Sequence, residues 1–101
     1  MPHAFYIVQI KVKPGRGAEA IELVQAVKKE VLAAGAIQVR LLLNTAGPTA
    51  PSITFASEYE SLAAWEASGP VVQASPAYMA AQADPDGPGE IFAQGIATEI
   101  E

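Results

Sequence analysis

The sequence predicts an α+β fold of order β-α-β-β-α-β, the ferredoxin-like arrangement of a four-stranded antiparallel sheet with helices on one face. Three observations predict it. Four segments alternate or run in β-branched and aromatic residues, two segments between them switch to helical spacing, and Gly/Pro turns separate most of them. At 101 residues, with half of them hydrophobic and 17% charged, the chain has the size and composition of a single domain over 1–101.

The first strand is read over 4–13, where Pro14-Gly15 ends it. Tyr6, Val8, Ile10 and Val12 share one face, apolar apart from a phenol. Phe5, Ile7, Gln9, Lys11 and Lys13 share the other, which turns polar towards its end. That asymmetry predicts helices on one side of the sheet and a wetter neighbour on the other. From Gly17 to Ala34 the period becomes helical, with Ile21, Val24, Val27, Val31 and Leu32 as the apolar stripe and Gly35 as the residue after the C-cap.

Residues 36–45 and 52–59 form two further strands, joined by the turn-forming stretch Ala46-Gly47-Pro48-Thr49-Ala50-Pro51. An antiparallel hairpin is expected. Ser61 is the expected N-cap of a helix over 62–67. Gly69-Pro70 is expected to interrupt that helix, and Pro76 to start the better-formed part of a second piece over 71–83. The last strand runs from Glu90 to Ile100, with Gly95 as its expected bulge.

In this arrangement one sheet face stays open, carrying Phe5, Ile7 and Leu42 beside Gln9, Lys11, Arg40 and Glu58. Exposed apolar surface of that kind marks a contact face, and a two-fold homodimer is the simplest way to cover it. Lys11, Arg40 and Glu58 are expected to pair in or around that interface, or else to form a solvated rim.

Composition excludes several function classes. Six Lys and Arg against eleven Asp and Glu give a net charge of −5, which repels phosphate backbones and argues against nucleic acid. No apolar run approaches the ~20 residues that span a bilayer, so no membrane partner is expected. The start of the chain has no basic region or cleavage site of a signal peptide, and a cytoplasmic location is expected. There are no cysteines and one histidine, so the chain cannot assemble a transition-metal ligand set, and no metal is expected. His3 has the right pKa range for acid–base chemistry but stands at the chain start, where fraying is common.

Trp65, Tyr59, Tyr78, Met79 and Phe92 are the side chains best suited to line an apolar pocket. Their plain alternative is service as core or interface residues. Arg40, Asn44 and Gln94 are the candidate polar groups. Arg40 lies mid-strand, where an unpaired buried charge is costly. Glu58 is its expected partner, and an anionic or phenolic ligand the alternative. Gly15-Arg16-Gly17 ahead of the first helix is too short for a nucleotide site.

Two stretches, Ile10-Lys11-Val12-Lys13-Pro14-Gly15 and Tyr59-Glu60-Ser61-Leu62-Ala63-Ala64-Trp65-Glu66-Ala67, give the chain a resemblance to a known family. It resembles the antibiotic-biosynthesis-monooxygenase-like group of the dimeric α+β barrel superfamily. The resemblance implies a homodimer with a hydrophobic pocket between each sheet and its helices. It also implies kinship with cofactor-independent oxygenases of phenols and quinols, with haem-degrading enzymes, and with members of no known activity.

The positions matching the Trp and His of haem-degrading members are Tyr59 and Ser68. Gln9 is the nearest polar residue to their first-strand Asn. Haem degradation is therefore disfavoured, and no cofactor is expected. Ser61 and Trp65 have the one-turn spacing of the Asn and Trp that hold substrate in the oxygenases. The expected function is binding of a small hydrophobic or aromatic molecule, with cofactor-independent oxidation of an aromatic or quinol-type substrate. The alternative is a non-catalytic dimerisation or ligand-binding module.

Overall fold

The computed structural model describes residues 2–100. Its elements are β1 (Ala4–Val12), α1 (Gly17–Ala33), β2 (Gln38–Asn44), β3 (Ser52–Tyr59), α2 (Leu62–Gln73), α3 (Pro76–Ala83) and β4 (Gly89–Thr98). The sheet has the order β2-β3-β1-β4 with every neighbouring pair antiparallel, as a ferredoxin-like fold requires. Among the described residues no helix is long and apolar enough to cross a membrane.

Strand parity sorts the side chains as expected. The pairs Val8↔Phe55 and Ile10↔Ile53 lie on the helix side, and the core forms there between α1 and the strands β1, β3 and β2. On α1 the buried line is Ala20, Val24 and Val31. Ile21 and Leu32, expected in that stripe, flank it and are more than a third exposed. Gly35 follows the helix with φ +123°, a left-handed conformation that a Cβ would oppose.

The opposite sheet face is open, with Ile7 and Leu42 both exposed. The expected pairing of Arg40 with Glu58 does not form. The register sets Arg40 opposite Ala56 and Glu58 opposite Gln38, two residues apart along the ladder. Glu58 instead meets His3, with Nδ1 and Oε2 2.6 Å apart. Turned so that its Oε1 faces the guanidinium, the Gln38 amide accepts from Arg40 Nε at 3.0 Å and Nη2 at 3.1 Å. Lys11 also finds no carboxylate and donates to the carbonyls of Thr49 and Ala50 in the β2–β3 loop.

Two expectations about breaks are corrected. Gly69-Pro70 does not interrupt α2, which runs through to Gln73. A helical residue before proline normally suffers a clash between its Cβ and the proline ring, and Gly69 has no Cβ to clash. Pro70 still cannot donate an amide to the Glu66 carbonyl. The β4 bulge lies opposite Gln9 and Ile10, where Phe92 is the extra residue, while Gly95 pairs regularly with Ile7. At the start of β4 a Cβ on Gly89 would lie 2.6 Å from Ile10 Cγ2, so glycine lets the strand close onto β1.

The start of α3 is organised from a distance. Pro76 occupies its first turn, and the Ser75 hydroxyl donates to the Val71 carbonyl rather than capping the helix. The free amides of Ala77 and Tyr78 donate instead to the two oxygens of Glu30 on α1, at 2.7 and 2.9 Å. A carboxylate at a helix N-terminus gains from both hydrogen bonds and the helix dipole. Glu30→Ala should therefore destabilise the protein by ~1–3 kcal/mol, read as a lower urea midpoint with unchanged slope. Glu30→Gln, which keeps one acceptor, should fall between.

Candidate functional site: an aromatic cavity between sheet and helices

Between the helix face of the sheet and the three helices lies a cavity of ≈ 1190 Å³. It is large enough for a multi-ring organic molecule. Its inner wall is aromatic. Tyr6 comes from β1, Tyr59 from β3, Trp65 from α2 and Tyr78 from α3.

The placement of each ring has a local cause. Tyr6 is on the helix face because β1 alternates with Val8 and Ile10. Trp65 falls one turn after the cap Ser61, whose Oγ accepts from the Ala64 amide at 3.1 Å. Buried Ser68 donates to the Trp65 carbonyl at 2.7 Å, fixing the next turn. Tyr78 is held by the Glu30 bond to its own amide. Tyr59 is 2% exposed and serves the core as well as the cavity wall.

Tyr6 is the centre of the site. Its ring packs against Trp65 with centroids 5.5 Å apart and planes tilted by 42°. Aromatic pairs at such distances contribute ~0.5–1.5 kcal/mol beyond their area. Its hydroxyl donates to Gln94 Oε1 on β4 at 2.7 Å. That bond orients the Gln94 amide, and among the described residues no group accepts from its Nε2. The amide therefore offers a donor to whatever occupies the cavity. Burial pushes the Tyr6 phenol above its ordinary pKa, and the neighbouring Tyr78 and Tyr59 push the same way. Tyr6 is thus a neutral donor, and proton abstraction is not its role.

Of the expected ligand-binding residues, Trp65, Tyr59, Tyr78 and the polar candidate Gln94 come together in the cavity wall, and the other five do not line it. Met79 follows Tyr78 by 100° around α3 and is 55% exposed. Phe92 is the bulge residue and lines a separate shallow groove with Lys11 and Thr49. Arg40 is on the open face. So is Asn44, whose Nδ2 donates to the hydroxyls of Ser52 and Thr54. Ser61 is spent on its cap. For Arg40 and Asn44 the cause is parity, since even-numbered residues of β2 point away from the helices. Tyr6 was not among the expected residues, although its signal was present as the one phenol on an otherwise apolar strand face. Arg16, ahead of α1, is engaged by Glu19 at 2.7 Å and by the Asp86 carbonyl.

A four-stranded antiparallel sheet with a roomy aromatic cavity under its helices defines a ferredoxin-like α+β protein of the small-molecule-binding type. The family model for antibiotic biosynthesis monooxygenases matches residues 4–84, and the chain belongs to that family.

Similar folds occur in solved structures. Rv0793 from Mycobacterium tuberculosis is 16% identical with a TM-score of 0.70, over 98% of this chain and 96% of that one. A NIPSNAP family protein of unknown function from Agrobacterium tumefaciens is 16% identical with a TM-score of 0.69, over 96% and 88%. A candidate antibiotic biosynthesis monooxygenase from Chloroflexus aurantiacus is 15% identical with a TM-score of 0.60, over 98% and 94%. No curated protein matches in sequence. At these identities the likeness is one of fold.

The raised pKa of Tyr6 has a measurable consequence. The folded state holds that proton more tightly than the unfolded chain does. The stability this confers is complete below pH 10.0, the ordinary phenol value, and is lost as pH rises through the raised one. Ultraviolet titration of phenolate should show a step above pH 10.0 that Tyr6→Phe removes. The same variant should weaken the alkaline fall in stability.

Proposed function

We propose that the chain binds a small aromatic molecule of quinol type in the cavity, and works as a homodimer joined through its open sheet face. The observation that carries the ligand reading is the Tyr6–Gln94 bond beside Trp65. It presents an oriented amide donor beside the aromatic rings. A planar ligand would stack on Trp65 and Tyr78 and set an oxygen against Gln94 Nε2. The dimer reading rests on the exposure of Ile7 on β1 and Leu42 on β2, which share a sheet face that no helix covers.

Family membership favours cofactor-independent oxidation as the activity, with dioxygen as oxidant and the ligand's own anion as the source of electrons. The protein's part is then to position the ring and stabilise developing charge. Arg40, an obvious candidate for the second task, lies on the wrong face for it, and the Gln94 amide, oriented by the Tyr6 hydroxyl, takes its place. A second reading, a binding module without turnover, is favoured by the wall itself. None of the described residues lining it is Lys, Arg or His, and its four carboxylates, Glu19, Glu22, Glu66 and Asp84, are all exposed.

Native mass spectrometry tests assembly and occupancy together. The purified protein is expected to fly as a dimer carrying a co-purified aromatic, and Leu42→Glu as a monomer. Trp65→Ala should stay dimeric while losing the ligand and any oxygen uptake, with affinity falling about tenfold or more. A Trp65→Ala protein with full ligand affinity would refute the cavity reading. A wild-type monomer would refute the dimer.

A further inference from the structure

We infer that the cavity selects its ligand by charge, admitting aromatic molecules that carry a protonated amine and rejecting those that carry a carboxylate. This rests on reading the cavity as a ligand site and adds the substrate class.

The argument starts from the lining. Four carboxylates reach it: Glu19 and Glu22 from α1, Glu66 from α2, and Asp84 just after α3. All four are exposed, so they stand at the mouth, while the aromatic rings form the interior. No described residue in the lining carries a positive charge.

Arg16 adjoins the lining residue Glu19, and its guanidinium is committed to Glu19 and to the Asp86 carbonyl, although Asp84 also feels its charge. Only two ion pairs form among the described residues, Arg16–Glu19 and His3–Glu58. Glu22, Glu66 and Asp84 are in neither. Pro70, having no N–H, cannot satisfy the Glu66 carbonyl, which leaves one more acceptor in the same stretch of α2.

The rim and the interior therefore ask for the same thing. A cation at the mouth meets three carboxylates without an ion-pair partner, and the faces of Trp65 and Tyr78 attract it further through their ring quadrupoles. An anion meets repulsion from the same three groups, inside a chain of net charge −5. A ligand with its amine at the mouth, its ring against Trp65 and a hydroxyl at Gln94 meets the rim carboxylates, the aromatic wall and the free amide donor together.

A matched set of probes tests this: naphthylmethylamine, naphthylmethanol and naphthoate share a ring and differ in charge. Binding is read from the indole N–H resonance of Trp65, the chain's one tryptophan. The amine is expected to bind at least tenfold tighter than naphthoate in low salt, with the alcohol between. The ratio should shrink as salt is added, because exposed charges are screened over about 10 Å at 0.1 M. The triple variant Glu22→Gln, Glu66→Gln, Asp84→Asn should erase the amine-over-carboxylate preference.

Equal binding of all three probes, or tighter binding of naphthoate, overturns charge selection and leaves the cavity standing as a ligand site. If no probe moves the Trp65 resonance, the cavity reading falls and charge selection falls with it. A preference that survives in the triple variant shows that the rim is not its source and overturns the inference.

Discussion

A strand offers each side chain only two directions, and for β1 that choice organises the whole molecule. The strand is central in the sheet, held by β3 on one edge and β4 on the other, so its register cannot slip without breaking both ladders. With Tyr6, Val8 and Ile10 committed to the helix side, the core and the cavity share one face. Phe5, Ile7 and Gln9 are left to the other. Core and cavity then divide that face between them. Val8 packs with Phe55 where α1 covers the sheet, while Tyr6 reaches out to Trp65 and Gln94.

The aromatic wall gains its oriented amide where two distant parts of the chain meet. Tyr6 and Gln94 are 88 residues apart, and their bond depends on β4 lying beside β1 in the right phase. The third side is set by Glu30, which ties α3 and its Tyr78 back to α1. In each case a ring from one element is oriented by a polar group from another. The wall is consequently a product of tertiary structure, although every ring in it sits on a regular helix or strand.

Much of the fold was legible because its signals are local. β3 over 52–59, the Ser61 cap and Gly35 after α1 each follow from alternation, capping chemistry or backbone freedom within a few residues. What misled were compensations and registers. Gly69 and Pro70 each read as a helix breaker, yet the missing Cβ of one removes the clash of the other. Arg40 and Glu58 sit on adjacent strands with opposite charges, but an offset of two residues and the histidine at position 3 decided their partners. Half of the cavity was legible for a similar reason. Aromatic residues with helical spacing point to a wall, whereas the capping role of Glu30 depends on a contact 47 residues away.

Phe92 has a bearing on how this sheet tolerates changes in length. Gly89–Ile91 and Ala93–Thr98 each pair with β1 in good register, and the strand between them holds one residue more than the ladder can use. A chain shorter by that one residue would zip onto β1 without a break, and Gln94 would still stand across from Val8. Past Gln94 the ladder holds no spare residue, so an insertion or deletion there would shift the remaining pairs against β1. Position 92 is therefore the slack in β4, where the strand can be trimmed while the cavity keeps its polar group.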